Sequence, residues 1–202
     1  MNSYLCAALG FGGGMGVGVG ALLLFGCGST AVRGKPFNPI SPTFPQVIGD
    51  NLNGRHFEIP SQLDAPFNIL LVAFYRGQQA DVNTWLDAAS ELAADHANVE
   101  YYELPTINSG WGLARNWIDG GMRGGIPDVG ARDRTITLYT DTAKFRELAG
   151  IDSPEQIWVG VVDREGRVYW SARGRATEDS LRALRQAVMA AASQSQAVPR
   201  DL

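Results

Sequence analysis

Cysteine is the first shortage. The chain has 202 residues and two cysteines, Cys6 and Cys27, both inside an apolar N-terminal run. From Gly28 onward there is no thiol, so the remainder forms no internal disulfide and offers no thiolate for exchange chemistry. Histidine is equally scarce. His56 and His96 stand far apart, which leaves no Cys/His zinc set and no Ser-His-Asp arrangement, and there is no nucleophile-elbow motif. Nor is there an excess of positive charge. Seventeen Lys and Arg against 21 Asp and Glu give a net charge of -4, a poor match to a phosphate backbone. No metal, cofactor or nucleic-acid partner is therefore expected.

Charge is missing altogether from residues 1–32, and residues 4–26 are largely apolar or glycine. The run ends Leu24-Phe25-Gly26-Cys27, which is similar to the lipobox of bacterial lipoproteins. That resemblance implies a signal peptide, lipidation at Cys27 and a domain on the extracytoplasmic side of a bacterial envelope membrane. An uncleaved membrane helix stays open beside it. The length is close to one span, Gly12, Gly16 and Gly20 would share a face, and Arg33 and Lys35 follow the run. The lipoprotein reading is preferred because Cys27 stands where cleavage chemistry needs it and polar residues follow at once. The glycines also match a loose GxGxxG pattern, but no strand precedes them and no amphipathic helix follows, so no nucleotide site is read there. The expected organisation is an anchor over 1–27, a Pro/Gly/Ser-rich tether over 28–45, one domain over 46–192 and a polar tail over 193–202.

The domain centres on residues 68–75, Asn-Ile-Leu-Leu-Val-Ala-Phe-Tyr, a run too continuous for a half-exposed strand. It feeds a helix over 79–97 with Val82, Trp85, Leu86, Ala89, Leu92 and Ala93 on one face. Before it, Asp-Asn and Asn-Gly turn signals within 46–60 predict a hairpin, with His56 as a surface strand residue. After it comes a strand over 99–105, stopped by Pro105. Residues 106–134 are an irregular insertion in which Trp111, Leu113, Ala114, Trp117, Ile118 and Met122 keep helix spacing until Gly120-Gly121 and Gly124-Gly125 break it. A strand over 135–140, a short helix capped by Asp141 or Thr142 and closed by Gly150, a buried strand over 157–162 and a returning strand over 167–173 follow. Asp163 and Glu165 belong to the turn between the last two and are expected to be solvated. Thr177 caps a final helix with Leu181, Leu184, Val188 and Ala191 on one face. The fold class is α/β: a thioredoxin-like mixed sheet flanked by helices, with an N-terminal hairpin and an inserted helical segment.

Several stretches then resemble one family. They are Phe74-Tyr75-Arg76-Gly77-Gln78-Gln79 with Trp85-Leu86, residues 117–127, residues 135–140 with Phe145, and residues 162–170 with Gly174 and Ala176-Thr177. Together they are similar to the ATPase assembly factor ATP-ten family, whose members assist assembly of F-type ATP synthase, and to its bacterial relatives. The resemblance spans about residues 45–190 and implies a redox-inactive thioredoxin-like assembly factor or chaperone. The thioredoxin fold usually carries reactive cysteines at a strand-to-helix junction, faced by a cis-proline. Here the junction reads Gly77-Gln78-Gln79-Ala80 and the proline slot falls at Ile157.

A non-enzymatic, protein-binding role at a membrane is the resulting expectation. Arg76, Gln78 and Gln79, beyond the end of a central strand, are candidates to hold a carboxylate or peptide carbonyl. Against that stands a plain helix-capping role for Gln79. In the insertion, Trp111, Trp117, Met122 and Ile126 are candidate apolar anchors, with Arg115, Asp119, Arg123 and Asp128 orienting a partner; ordinary core and a solvated rim are the alternatives. Two other functions stay open: a thioredoxin- or peroxiredoxin-like oxidoreductase relative, and a purely structural envelope lipoprotein.

Overall fold

The computed structural model describes residues 43–110 and 115–195, without the side chains of residues 115, 116, 194 and 195. The expected anchor, Cys27 and most of the tether and tail lie outside the described residues. No helix among those described is long and apolar enough to cross a membrane.

Seven strands form one mixed sheet in the order β2-β1-β5-β4-β3-β6-β7. In chain order they are β1 (Val47–Asn51), β2 (His56–Ile59), β3 (Phe67–Ala73), β4 (Val99–Asn108), β5 (Ile136–Thr140), β6 (Trp158–Asp163) and β7 (Val168–Arg173). The helices are α1 (Gln79–Asp95), α2 (Arg115–Gly125), α3 (Val129–Arg134), α4 (Thr142–Ala149) and α5 (Glu178–Ser195). β3 lies between β4, parallel, and β6, antiparallel, so both of its edges are paired, and it is covered on both faces by the elements packed on the sheet. Ile69, Leu70, Leu71 and Val72 are fully buried, each contributing roughly 1.5–3 kcal/mol relative to exposure.

The two faces have separate cores. Alternate β3 residues Phe67, Ile69 and Leu71 join Trp85 of α1 and Leu184, Val188 and Ala191 of α5. The other set, Leu70 and Val72, packs with Phe145 and Ala149 of α4, Phe57 and Ile59 of the hairpin, and Trp158. Trp85 is buried with its indole N–H satisfied by the carbonyl of Gly174 at 2.9 Å. Asp141 caps α4 by accepting from the Ala143 and Lys144 amides, and Gly150, at φ 65°, closes it.

Four expectations need correction. β4 continues three residues past Pro105, because Pro105 faces Ala73, the last residue of the β3 ladder, and the strand then pairs with β5 from Thr106. α2 passes through Gly120-Gly121 and runs to Gly125; half-buried Ile118, Met122 and Ile126 keep helical spacing across the glycines. The short helix α3 was not foreseen. Asp163 is 3% exposed: it accepts from Arg167 Nε at 2.6 Å, from the Tyr169 hydroxyl at 2.8 Å and from the amides of Glu165 and Arg167. The tight β6–β7 turn folds those four donors around one carboxylate, whereas Glu165 stays exposed. Burial, and next the bond to Asp163, push the Tyr169 hydroxyl up to about 12.

Candidate functional site

The strand-to-helix junction at the end of β3 is where an α/β sheet places a site. β3 ends at Ala73, and one 3-10 turn over Arg76–Gln78 leads into α1. Gln78 is turned inward and only 6% exposed. Its side-chain oxygen accepts from the amides of Phe74 at 2.8 Å and Tyr75 at 3.2 Å, and its Nε2 donates to the carbonyl of Pro154 at 2.7 Å. The amide expected to face a partner is thus taken up within the fold. Tyr75, Arg76 and Gln79 remain exposed.

Gln79 does not cap α1. Its Nε2 donates to Asn83 Oδ1 at 3.0 Å and to Glu103 Oε2 at 3.1 Å. Burial pushes the Glu103 carboxyl above its ordinary range, and the Gln79 amide pulls the other way. A carboxyl on β4 therefore stands beside the first turn of α1, with one side-chain amide donating to it.

The loop before β6 faces this junction and is held by three long side chains. Arg146 donates to the carbonyls of Ile151 and Asp152, Arg173 to those of Ser153 and Gln156, and Gln78 to that of Pro154. Burial lowers the pKa of the Arg173 guanidinium; Asp152 opposes that and Arg146 adds to it. Ile157, in the slot where the fold usually has a cis-proline, is fully buried, and the cis peptide among the described residues is Ile59–Pro60.

The insertion is bound to the hairpin. Arg123 Nε donates to the Leu52 carbonyl at 2.7 Å, and Asn51 and Asn53 donate to Asp133. Asp119 accepts from the Tyr139 hydroxyl at 2.9 Å, and Asp128 caps α3 through the Ala131 amide at 2.6 Å. These three charged candidates therefore have internal partners. Met122 and Ile126 are half-buried, whereas Trp117 is 83% exposed. Trp111 and the side chain of Arg115 lie outside the described residues. The structure does not bring the candidates into one cluster: Arg76 and Gln79 belong to the junction, and Trp117 to the insertion. Among the described residues, no group of three His, Cys, Asp or Glu is placed to hold a metal ion.

Sequence reasoning missed Glu103, Arg146 and Arg173. Glu103 had a signal, since a carboxylate in a strand beside β3 is costly unless partnered. The arginines had none, because their carbonyl partners belong to a loop.

No protein-family model matches the chain, and no curated protein matches it. Solved structures do. BsSco, a member of the Sco family of cytochrome c oxidase assembly proteins described with a disulfide switch, is 13% identical at a TM-score of 0.51, over 75% of this chain and 96% of that one. A candidate electron transfer protein from Aquifex aeolicus VF5 is 12% identical at 0.53, over 76% and 95%. A thiol:disulfide interchange protein from Bacteroides sp. is 12% identical at 0.51, over 76% and 92%. At these identities the likeness is one of fold: the chain has the thioredoxin-like α/β fold.

Proposed function

We propose that this chain is a redox-inactive thioredoxin-like protein, tethered to a membrane by its N-terminal segment, that acts as a binding or assembly factor for a membrane protein complex. The observation that carries the reading is the junction itself. Where thiol oxidoreductases of this fold keep a reactive cysteine, the chain has Gln78-Gln79-Ala80, and Gln78 is spent on the backbone of β3 and of the loop before β6. Thiolate chemistry needs a cysteine at such a helix start, and residues 28–202 contain none. What the junction leaves exposed is Tyr75, Arg76 and Gln79, residue types suited to gripping a protein surface. The motif resemblance to the ATP-ten family makes an ATP synthase-type complex the first partner to examine, and the Sco-type neighbour belongs to a family of assembly proteins for another membrane complex. An extracytoplasmic lipoprotein anchored through Cys27 is the preferred topology, with an uncleaved N-terminal helix as the alternative.

The runner-up is a thiol oxidoreductase relative, favoured by the redox roles described for the neighbours. The test uses the full-length protein in detergent. The binding reading expects no thiol reductase or peroxidase turnover whether Cys6 and Cys27 are present or replaced by Ser and, with Cys27 intact, stoichiometric recovery of a membrane complex that Arg76→Ala and Gln79→Ala weaken. Turnover that disappears with the cysteines would overturn it. Intact mass separates the topologies: loss of residues 1–26 with gain of a diacylglyceryl group marks the lipoprotein, and retention of Met1 marks the helix.

A further inference from the structure

We propose that Asn53 is a site of spontaneous deamidation, and that its conversion to aspartate or isoaspartate loosens helix α3 from the tip of the β1–β2 hairpin. The modification stands independently of the binding role above.

The chemistry starts from a dipeptide. Of the asparagines in the chain, Asn53 alone is followed by glycine. An asparagine side chain can be attacked by the backbone nitrogen of the next residue, and glycine leaves that nitrogen unshielded and free to take the backbone angles a ring requires. Asn53 and Gly54 are both exposed at the hairpin tip. Gly54 stands at φ 90°, and among the described residues nothing lies within 4 Å of where its Cβ would be. The Gly54 nitrogen gives up its proton and bonds to Asn53 Cγ. The Cγ–Nδ2 bond breaks, ammonia leaves and a cyclic imide closes. Water then opens either carbonyl of the imide, giving aspartate or isoaspartate. One water is taken up and one ammonia released, with no oxidant or reductant.

The structure gives this reaction a consequence. Asn53 Nδ2 donates to Asp133 Oδ1 at 2.6 Å and to the Val129 carbonyl at 3.1 Å, so one amide ties down both ends of α3. Both contacts need a donor, and deamidation removes it. A carboxylate at position 53 would face a carboxylate and a carbonyl, acceptors only, and the Asp133 charge repels it. Arg55, the cation whose charge reaches Asp133, has its fork engaged by Asp64 at 2.7 and 3.0 Å. The bonds from Leu52 to Arg132 and from Arg123 to Leu52 remain, so α3 is loosened and not lost. α3 follows α2, which carries the exposed Trp117, so the modified state is a loosened form of the candidate partner surface.

The same contacts govern the rate. The Gly54 amide donates to the Asn51 carbonyl at 3.0 Å and the Asn53 amide is held against α3, so attack waits for the tip to open. The step is one-way, because the product has no donor with which the contact could re-form.

The test uses the full-length chain in detergent, aged in mildly alkaline buffer made with heavy-oxygen water and mapped by peptide mass spectrometry. The proposal expects the mass gain of an amide-to-carboxyl exchange at Asn53, with one heavy oxygen, about tenfold or more faster than at exposed Asn83, which precedes Thr84. Asp133→Ala frees the amide and should speed the gain about threefold or more, while hydrogen exchange across β3 stays that of wild type. In freshly made Asn53→Asp, exchange at residues 129–134 should rise about tenfold or more, with β3 again unchanged. The proposal is overturned if Asn53 keeps its mass over a period in which the urea-unfolded chain is converted there, or if another asparagine reacts first. It is also overturned if Asp133→Ala leaves the rate unchanged, or if Asn53→Asp leaves exchange at 129–134 unchanged. Should Asp133→Ala open β3 as well, the wild-type rate and Asn53→Asp decide. Recovery of a membrane complex plays no part in the outcome, so failure here leaves the binding role standing.

Discussion

Gln78 Nε2 donates to the carbonyl of Pro154 across 2.7 Å, joining the turn that opens α1 to the loop that precedes β6. The same side chain accepts from Phe74 and Tyr75, so one buried amide fixes three segments. In a thiol enzyme of this fold, those segments would border the reacting sulfur. Here they are locked together by a group with no redox chemistry.

Gln78→Ala therefore does more than shorten a side chain. It leaves two backbone donors and one acceptor in a partly buried place without their side-chain partner, and should cost about 1–3 kcal/mol of stability. Urea unfolding reads the loss, and hydrogen exchange should locate it at residues 74–75 and 151–157. Gln78→Glu keeps the acceptor but not the donor to Pro154 and should fall between the two. A stability unchanged by Gln78→Ala would show that the amide is not the link between these segments.

Glu103 should act in the opposite sense to a stabilising ion pair. Its carboxyl is raised in the folded state by burial, so the folded chain holds its proton at pH values where the unfolded chain has released it. Stability is greatest below the unfolded carboxylate range and declines as pH rises from there through the raised folded value. Glu103→Gln removes that loss and keeps an oxygen for the Gln79 amide. The variant should have a higher urea midpoint than wild type near neutrality and the same midpoint below about pH 4. A midpoint lower than wild type at neutrality would mean the carboxylate is stabilising as a charge.

The central layer was legible because its signal is local. The run at 69–75, the helix spacing of Val82, Trp85, Ala89 and Leu92, and the caps at Asp141 and Gly150 each depend on residues a few positions apart. The candidate site was legible only in outline. Its position follows from a strand meeting a helix, but the direction in which Gln78 points is set by Pro154, 76 residues away. The insertion misled for a similar reason. Gly120-Gly121 reads as a break in isolation, yet Asp119 and Arg123 on either side are tied to Tyr139 and Leu52, which the local sequence does not contain.

Asp163 offers a clean check on the turn. With four donors aimed at it, Asp163→Ala takes an acceptor from the Tyr169 hydroxyl, the Arg167 guanidinium and two backbone amides and should cost about 2–4 kcal/mol, while Glu165→Ala on the exposed side should cost little. Ultraviolet titration gives a second readout. Burial keeps part of the raised Tyr169 pKa, but the part due to the Asp163 carboxylate should vanish in Asp163→Ala and persist in Glu165→Ala.

Trp117 separates binding from folding. Its ring is 83% exposed on α2, so removing it takes no partner from the core, and Trp117→Ala should shift stability by no more than about 0.5 kcal/mol. An exposed Trp is costly to leave in water and is the residue type most often found at the centre of an interaction surface. If the insertion grips the partner, Trp117→Ala should reduce recovery of the membrane complex about tenfold or more at unchanged fold, as a loss of roughly 1.4 kcal/mol would require. Arg76→Ala, at the other end of the candidate surface, then decides the geometry. Additive losses in the double variant would mean that one partner spans both regions, whereas loss from only one substitution would confine the contact to that region.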